Sequence, residues 1–411
     1  MWWIAEYREK GRKFPMNIVF IFGSYPYSDS ITYDGGADYL RNLAEKLASK
    51  EHNVFIITSG SANSNIDIPI SINRVNIFPI IFEWGLKGFV TGEYKKISLL
   101  LKRINPEVIN VIYPDSHLKN KYVIPLFIKL FNNKTPIITT LFHFLPKGAN
   151  LFYMLETIFL YLTSTKLHFH DEGFKAIFDK FFFPLRRKSF FIPVGCNIKI
   201  PEDIEELKKN KLDLKEKLVL EPSAKYISFF GYWYPSKGID LLIKALHILV
   251  LKGINLKLLL IGGHSIEEMN EYEKGIINLI NEWYLSDRVI ITGYCSDDTV
   301  VNYMLCSEAC VFPFRSNMIG RSSIMLPIAL RLPIITTRLV KKPSFLVDRE
   351  TALLVSPNDP EELANVIEEI LMNETIRDYV SKNISQLAIK IEWDNIANEW
   401  VSLLSQITKS P

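Results

Sequence analysis

The sequence lacks the features that hold metals, close disulfide frameworks or cross membranes. Its four cysteines, at positions 196, 295, 306 and 310, form no Cys-x-x-Cys pair and have no cluster of histidines beside them. This cysteine pattern disfavours metal and disulfide use and fits a reducing cytoplasm. No apolar run approaches the roughly 20 residues that a membrane-spanning helix needs. Residues 1–15 also lack the long apolar middle of a secretory signal.

The chain has little net charge. A formal charge of +3 on 411 residues is too small for a general nucleic-acid-binding protein, so any attraction for anions must be local. One run, from Ala309 to Val347, contains no Asp or Glu at all. It carries six cations, which are Arg315, Arg321, Arg331, Arg338, Lys341 and Lys342.

Short β-rich runs alternate with helical patterns, which predicts an α/β fold. The strand candidates are 17–22, 53–58, 75–82, 107–113, 136–142 and 189–194 in the first half, and 226–230, 256–261, 288–292, 309–312, 333–336 and 352–356 in the second. Most are nearly continuous apolar runs, as in parallel strands that are covered on both faces. Two such series predict two doubly wound, Rossmann-like domains. Ligands of these folds bind beyond the carboxyl ends of the strands, here in the cleft between the domains.

Composition sets the expected domain boundaries. We place the first domain at residues 16–200, a Lys- and Glu-rich linker at 201–221 and the second domain at 222–392. Residues 393–411 are expected to form a helix that crosses back to the first domain, with Ile396, Trp400 and Leu404 on one apolar stripe. Asp359 followed by Pro360 predicts a helix start.

Two loops that follow a strand and precede a helix could bind a ligand. Gly35 and Gly36 open the first helix, where glycine lets a ligand approach the backbone amides; a plain βα turn is the alternative.

Lys237 and Gly238 open an apolar helix after the strand that ends at Gly231. A lysine has the wrong charge for a helix N-terminus, so we interpret it as a phosphate contact. A solvated surface lysine is the alternative.

A third loop lies inside the acid-free run. Gly320, Arg321, Ser322 and Ser323 would place free amides, two hydroxyls and a guanidinium at one helix start. Arginine binds phosphate oxygens well through its fork of donors. A diphosphate held by two helix starts and two cations needs surroundings without carboxylates, which would explain the acid-free run. The alternative is a buried strand–helix unit, because core segments lack acids in any case.

Seven segments follow one another in a characteristic order. They are DGGADYLRNLAEKLASKEHNVFIIT, IPVGCNI (192–198), FFGYWYPSKGIDLLIKAL, LKLLLIGG (256–263), RVIITGY (288–294), RLPIITT (331–337) and IEWDNIANEWVSLL (391–404). At these spacings they resemble glycosyltransferase family 4, from about Met16 to the C-terminus. The resemblance implies a GT-B fold and retaining, metal-independent transfer of a sugar from a nucleotide-diphospho-sugar. No Asp-x-Asp occurs in the chain, which also disfavours the metal-dependent fold of other sugar transferases.

The resemblance also implies roles for particular residues. The first domain would bind the acceptor and the second the donor. Lys237, Arg321 and His143 would act catalytically, although His143 could equally be structural. The donor-binding residues would be Gly35, Gly36, Gly231, Gly262, Gly263, Gly293, Tyr294, Ile319, Gly320, Ser322 and Ser323.

The chain departs from the family pattern at two places. The family's arginine after the glycine that matches Gly231 is Tyr232 here. The family's pair of donor-site glutamates aligns with Met318 and Leu326, whose side chains cannot make those contacts. We interpret Arg321 as a replacement for the missing basic phosphate contact.

These observations favour a hexosyltransferase that acts on a glycan or a polyprenyl- or other lipid-linked acceptor in cell-surface glycan or glycolipid assembly. A non-catalytic GT-B-like subunit that binds sugar or nucleotide is the alternative; a nucleotide-sugar epimerase is disfavoured because the acid-free run offers no acid–base carboxylate. We expect no cofactor, no metal, no nucleic acid and a cytoplasmic location.

Residues 94–104 and 175–192 combine apolar side chains with cations, which suits the inner face of an anionic membrane. Ordinary solvated lysines beside a core edge are the alternative.

Overall fold

The computed structural model describes residues 15–25, 35–60, 68–113, 123–131, 134–142, 158–263, 269–316, 322–340 and 342–409. The chain forms two compact units. The first comprises residues up to Phe169, Phe181–Ile192 and the chain from Ala397 onward, and the second comprises His170–Lys180 and Pro193–Ile396. Neither unit is therefore a single continuous stretch. No helix among the described residues is long and apolar enough to cross a bilayer.

The first unit is built on an eight-stranded sheet. Its strands are β1 (Asn17–Ile21), β2 (Asn53–Ser59), β3 (Ile70–Ile72), β4 (Val75–Ile81), β5 (Val108–Tyr113), β6 (Ile137–Leu141), β7 (Lys166–Phe169) and β8 (Ser189–Phe191). They lie in the order β3-β4-β2-β1-β5-β6-β7-β8, and every neighbouring pair is parallel except β3 with β4. The helices between them are α1 (Gly35–Ser49), α2 (Gly85–Val90), α3 (Tyr94–Ile104), α4 (Val123–Phe131) and α5 (158–163).

The second unit has a six-stranded, fully parallel sheet. Its strands are β9 (Lys225–Phe230), β10 (Leu256–Ile261), β11 (Val289–Gly293), β12 (Ala309–Phe312), β13 (Ile334–Thr337) and β14 (Leu353–Val355), in the order β11-β10-β9-β12-β13-β14. The helices that follow β7 are α6 (Glu172–Phe181), α7 (Ile204–Lys209), α8 (Lys211–Lys217), α9 (Ile239–Leu251), α10 (Glu271–Glu282), α11 (Asp297–Leu305), α12 (Met325–Ala329), α13 (Pro360–Met372), α14 (Glu374–Lys390) and α15 (Trp393–Lys409).

The strand order of the second sheet reverses at β9. From β9 the chain moves outward through β10 and β11, and it then returns to the other side of β9 to form β12. The ladder between β9 and β12 has two paired positions, Ile227 with Ala309 and Ser228 with Cys310. In open α/β sheets, ligands bind outside the carboxyl ends of the strands at such a reversal point. The loops that follow β9 and β12 therefore border the expected site.

Several local predictions from the sequence are confirmed. Asp359 accepts a hydrogen bond from the backbone amide of Glu362 at 2.9 Å, at the start of α13. In the last helix, Ile396, Trp400 and Leu404 are all buried, as the predicted apolar stripe requires. That helix begins in the second unit, and its residues from Ala397 onward belong to the first.

The composition of residues 201–221 suggested a linker, but the structure shows two short helices, α7 and α8. Ile204, Leu214 and Leu220 of this segment are buried in the core of the second unit. The Lys215 ammonium donates to the carbonyl oxygens of Pro222 at 3.0 Å and Ala224 at 2.8 Å. The segment is part of the second unit, because a few apolar residues on one side of each helix suffice to dock it despite its many charges.

Strand β7 was missed by the sequence analysis. Its four residues include Lys166 and His168, which interrupt the apolar run that marks a buried strand. His168 is fully buried, and its ring nitrogens lie 3.2 Å from Thr140 Oγ1 and 2.9 Å from the carbonyl oxygen of Ile192. A polar network holds this strand in place, so its pattern in the sequence does not resemble that of its neighbours.

Candidate active site

Three loops of the second unit lie at the carboxyl ends of its central strands. One follows β9 and runs from Gly231 to Gly238, and one follows β10 at Gly262 and Gly263. The third follows β12 and leads to a 3-10 turn, Ser322–Ile324, before α12. The sequence analysis selected residues in all three loops, and the fold places these loops on both sides of the strand-order reversal.

Lys237 is the centre of this region. Its side chain is buried, and its ammonium donates to the Ser323 hydroxyl at 3.4 Å. The same nitrogen lies 5.1 Å from the centre of the Phe314 ring. An added Cβ at Gly231 would lie 3.9 Å from this nitrogen and 3.7 Å from the Cβ of Ser323. Two residues of the loop after β9 therefore meet Ser323, which lies 86 positions after Lys237.

Gly238 allows the loop after β9 to reach the loop after β12. Its backbone is left-handed, with φ at 72°, and a Cβ built there would stand 2.1 Å from the carbonyl oxygen of Pro313. Only glycine permits both the dihedral angle and this close approach. Gly238 thus fixes the position of the preceding Lys237 relative to the chain that follows β12.

Arg315, which follows β12, also binds the loop between β9 and α9. Its backbone amide donates to the carbonyl oxygen of Ser236 at 3.1 Å, and its guanidinium donates to the carbonyl oxygen of Pro235 at 3.0 Å. The guanidinium also forms a two-point ion pair with Asp240, including one bond of 2.6 Å. A further bond of 3.0 Å reaches the side-chain oxygen of Asn358. This Arg315 clamp holds both ends of the short turn that contains Lys237.

The Arg315 clamp shifts the pKa values of its members. Burial raises the pKa of Asp240, but the hydrogen bonds from Arg315 and Tyr272 outweigh burial, so the net pKa lies below its ordinary value. Tyr272 donates to Asp240 at 2.8 Å. Burial, and then this bond to a carboxylate, raise the pKa of Tyr272 to about 12. Asp240 is therefore a carboxylate, and Tyr272 a neutral phenol, over the whole neutral range.

Glycines border the other side of the site. Gly262 has φ at 92°, and a Cβ there would approach the carbonyl oxygen of Gly231 to 3.1 Å. Gly262 and Gly293 form an isolated β-bridge, and Gly263 also has a positive φ. Tyr294 follows with 63% of its surface exposed. Backbone rather than side chains therefore lines the ends of β10 and β11.

The remaining predicted residues are only partly covered by the structure. Ile319, Gly320, Arg321 and His143 lie outside the described residues, as does the side chain of Ser322. Gly35 and Gly36 begin α1 of the first unit; Gly35 is exposed, and a Cβ there would meet nothing within 4 Å. Packing at this position thus does not require glycine. Leu326, which the sequence analysis aligned with a glutamate of the family pattern, is buried in α12.

The structure changes the interpretation of the acid-free run. Its described cations bind partners that come from elsewhere in the chain or from the backbone, with Arg315 on Asp240, Arg331 on Glu205 at 2.5 Å, Arg338 on Asp348 at 2.9 Å and Lys342 on the carbonyl oxygen of Leu346 at 2.6 Å. These four cations hold the fold together. The prediction that the run presents its positive charge to a ligand is therefore wrong for these four cations, and the run's other two, Arg321 and Lys341, lie outside the described residues.

No group of three His, Cys, Asp or Glu side chains in the described ranges is arranged to hold a metal ion. Sequence analysis missed Arg315, Asp240 and Tyr272 as parts of the site. Asp240 could have been selected from the sequence, because it is an acid in the first turn of α9, two residues after Gly238. Its pairing with a residue 75 positions away could not be read from the sequence.

Solved structures identify the fold. A glycosyltransferase from Rickettsia africae superposes with a TM-score of 0.75 at 18% identity, covering 97% of this chain and 100% of that one. HepE of Anabaena, solved in complex with UDP and glucose, superposes with a TM-score of 0.68 at 15% identity, covering 95% of this chain and 100% of that one. The two Rossmann-like sheets thus have the GT-B fold, and the predicted fold class is confirmed.

A family model matches the part of the chain that contains the site. Residues 210–387 match the family model "Glycosyl transferases group 1", and this range includes Gly231, Lys237 and Ser323. The second unit is therefore similar to group 1 glycosyltransferase domains over most of its length.

Curated relatives extend this result beyond the domain. The chain is 27% identical over 206 residues to the capsular polysaccharide biosynthesis glycosyltransferase CapM of Staphylococcus aureus, a match that covers 49% of this chain and only 52% of CapM. It is 29% identical over 376 residues to the uncharacterized glycosyltransferase MJ1178 of Methanocaldococcus jannaschii, covering 90% of this chain and 92% of that protein.

Proposed function

We propose that the protein is a retaining, metal-independent glycosyltransferase that moves a hexose from a nucleotide-diphospho-sugar to a glycan or lipid-linked acceptor. The observation that carries the proposal is the meeting of Lys237, Ser323 and Gly231 at the strand-order reversal of a group 1 glycosyltransferase domain. In this proposal the second unit binds the donor and the first unit binds the acceptor.

The chemistry around Lys237 suits a diphosphate. The Lys237 ammonium is buried beside the Ser323 hydroxyl, and a positive charge at a site screened from water attracts a phosphate more strongly than an exposed one does. The backbone amides of Gly231 and Gly262, in contrast, already donate to the Ile261 carbonyl oxygen at 3.0 Å and to the Thr292 hydroxyl at 3.3 Å. The complexes of HepE with UDP and with UDP-glucose support a nucleotide-sugar donor.

In the proposed reaction, the bond between the anomeric carbon and the departing phosphate oxygen breaks while the acceptor oxygen bonds to the same face of the sugar. The proton of the acceptor hydroxyl passes to that phosphate oxygen, so no carboxylate nucleophile is needed. Negative charge grows on the leaving nucleoside diphosphate, and Lys237 would stabilise it; losing such a group costs on the order of 10²–10³ in rate. We assign the same role to Arg321 and a place beside the sugar to His143.

The acceptor class follows from the relatives rather than from the site. CapM is named for capsular polysaccharide biosynthesis, which supports a glycan or lipid-linked acceptor in cell-surface assembly. We place this reaction in the cytoplasm, at the inner face of the membrane, where such acceptors are built.

Thermal unfolding with a panel of nucleoside diphosphates tests donor binding. We expect one nucleotide to raise the melting temperature of the wild type and to have no effect on Lys237→Ala. Lys244→Ala is the matched control, because it removes the same charge from α9 without touching the site. If no nucleotide stabilises the wild type, or if both variants respond equally, the site assignment is wrong.

A non-catalytic nucleotide- or sugar-binding subunit is the second candidate. Met318 and the buried Leu326 stand where the family pattern has glutamates, and this observation favours it. Incubation with nucleotide-sugars and a membrane lipid extract, followed by mass spectrometry, separates the two candidates. An acceptor that gains the mass of one hexose supports the transferase, whereas nucleotide binding without any glycosylated product supports the subunit.

A further inference from the structure

Five neighbouring helical elements of the first unit contain no carboxylate. They are α2, α3, α4, α5 and the 3-10 helix Phe183–Lys188, and together they carry nine lysines and arginines and no Asp or Glu. Helix α1 of the same unit, in contrast, mixes both signs, with Asp38 and Glu45 beside Arg41 and Lys46. The charge asymmetry therefore belongs to one set of helices and not to the whole unit.

These elements also expose large apolar side chains. Leu130 is 66% exposed and Phe131 58% at the end of α4, Leu162 is 59% exposed on α5, and Phe183 is 59% exposed on the 3-10 helix. Val90 at the end of α2 is 81% exposed. Single exposed apolar residues are ordinary, but apolar residues clustered among cations mark an interaction surface.

Ring contacts join α2 to α4. The ring centroids of Phe89 and Phe127 are 6.1 Å apart, and those of Phe127 and Phe131 are 4.6 Å apart. The buried Phe127 thus connects an exposed residue of one helix to an exposed residue of the other.

Contacts of the 3-10 helix join it to α5, and the order β5-β6-β7 makes the crossover that contains α5 the neighbour of the one that contains α4. The ammonium of Lys188 donates to the carbonyl oxygens of Tyr161 at 3.2 Å and Ser164 at 2.8 Å. The Tyr161 and Phe182 rings meet edge to face at 5.3 Å. Burial, and then the positive charge of Lys129 on α4, lower the pKa of Lys188. The Arg186 guanidinium lies 4.0 Å above the Phe183 ring, so charge and apolar surface adjoin directly.

We propose that these elements form one docking surface for an anionic phospholipid bilayer. The basic apolar surface, as we name it, consists of the exposed residues of α2, α4, α5 and the 3-10 helix, which are Leu86, Lys87, Phe89, Val90, Lys129, Leu130, Phe131, Phe159, Leu162, Phe183, Arg186 and Arg187. Cations attract the negative headgroups, and apolar side chains between them enter the headgroup–acyl boundary. This role goes beyond the proposed transfer reaction, since it needs no donor.

Two other occupants fit the basic apolar surface less well. A second copy of the chain would bring Arg186 and Arg187 of one surface against those of the other, and none of the five helical elements contains a carboxylate to pair with them. Lys87 already pairs with Glu83 at 2.6 Å. A nucleic acid would match the cations but would leave Leu130, Leu162 and Val90 without apolar partners. A bilayer matches both properties at once.

Co-sedimentation with vesicles tests the proposal on the full chain without nucleotide. We expect binding to phosphatidylcholine vesicles that contain phosphatidylglycerol and not to phosphatidylcholine alone. Raising the salt from about 0.1 M to about 1 M should release the protein, because the Debye length falls from about 10 Å to about 3 Å. Leu130→Glu and Leu162→Glu should each weaken partitioning about tenfold, and Arg187→Glu at least about fivefold, since one surface cation is worth ~1 kcal/mol.

The matched controls are Leu251→Glu and Lys382→Glu, which change an exposed leucine and an exposed lysine of the second unit. They should bind vesicles as the wild type does. The proposal is overturned if the wild type ignores anionic vesicles, if the controls lose as much binding as the surface variants, or if RNA binds while vesicles do not. The increase in melting temperature with nucleotide, measured on the same variants, shows separately whether the proposed donor site binds nucleotide.

Discussion

An alanine at position 238 would have no room for its methyl group. The Cβ would lie 2.1 Å from the Pro313 carbonyl oxygen, and φ is already 72°. Gly253 provides a matched control, because its φ is 78° and a Cβ there meets nothing within 4 Å. We expect Gly253→Ala to lower the free energy of unfolding by about 1 kcal/mol from the dihedral angle alone, and Gly238→Ala by about 3 kcal/mol or more. Urea denaturation measures both; equal losses would contradict the predicted contact with Pro313.

Asp240 gives the site a pH dependence with a definite sign. Its pKa is lowered in the folded state, so its ion pair adds stability that is fully present above the pKa of an unfolded Asp, about 3.9. That contribution is lost as the pH falls through the lower, folded-state value. We expect Asp240→Asn to cost about 2 kcal/mol at neutral pH and progressively less on acidification. Denaturation of both proteins at stepped pH values checks this; a difference that stays constant into the acid range would refute the assignment.

At the scale of the element, the short turn between β9 and α9 depends on Arg315. Removing its side chain releases contacts to Pro235, Asp240 and Asn358 at once. We expect Arg315→Ala to weaken nucleotide binding about tenfold although Lys237 is unchanged, because the ammonium is no longer held in place. Arg315→Lys should not restore binding, since lysine cannot make the two-point contact. Isothermal titration with the nucleotide found by thermal unfolding measures the effect.

Arg349 supplies the control for that experiment. It makes a similar two-point ion pair with Glu369, but on an exposed surface. We expect Arg349→Ala to cost at most about 0.5 kcal/mol of stability and to leave nucleotide affinity unaltered. Wild-type affinity in Arg315→Ala would show that the turn holds its shape without the Arg315 clamp.

The sequence predicted elements well where their physics is local. Apolar runs marked most strands, and the oxygen of Asp359 with the ring of Pro360 marked the start of α13, because a helix start depends on only a few consecutive residues. The sequence analysis failed at β7, whose His168 is satisfied by Thr140 and Ile192 from other strands. Such tertiary partners leave no periodic signal in the segment itself.

The same distinction applies to the site. The glycines and Lys237 could be selected from the sequence because each is unfavourable at its own position. A bound ligand, or a close approach between two backbone segments, would explain why such a residue stands there. The meeting of Lys237 with Ser323 followed only from the order of β9 and β12 in the sheet. The sequence analysis noted Arg315 only as one of six cations in the acid-free run, and the structure shows that Asp240 binds it. An arginine's partner, unlike a helix start, cannot be inferred from neighbouring residues.

At the scale of the whole molecule, Trp400 links the end of the chain to the first unit. Its ring lies 4.8 Å from that of His168 and 5.8 Å from that of Phe190, measured between centroids. We expect Trp400→Ala to lower the free energy of unfolding of the first unit by about 3–5 kcal/mol, because it leaves a large cavity. Calorimetry of the full chain measures the loss. Tyr379→Ala, at an exposed aromatic of the second unit, should change stability by less than about 0.5 kcal/mol, and a loss comparable to that of Trp400→Ala would argue against the cavity explanation.

The division of the chain has a consequence for how the protein is made. The first unit needs residues from Ala397 onward, yet most of the second unit is encoded between Pro193 and Ile396. On the ribosome, the nascent first unit must therefore remain without its final helix for on the order of ten seconds or more while the intervening residues are synthesised. During that interval, His168 and Phe190 lack the Trp400 ring that packs against them, and we expect truncated translation products to aggregate through the apolar surface left uncovered.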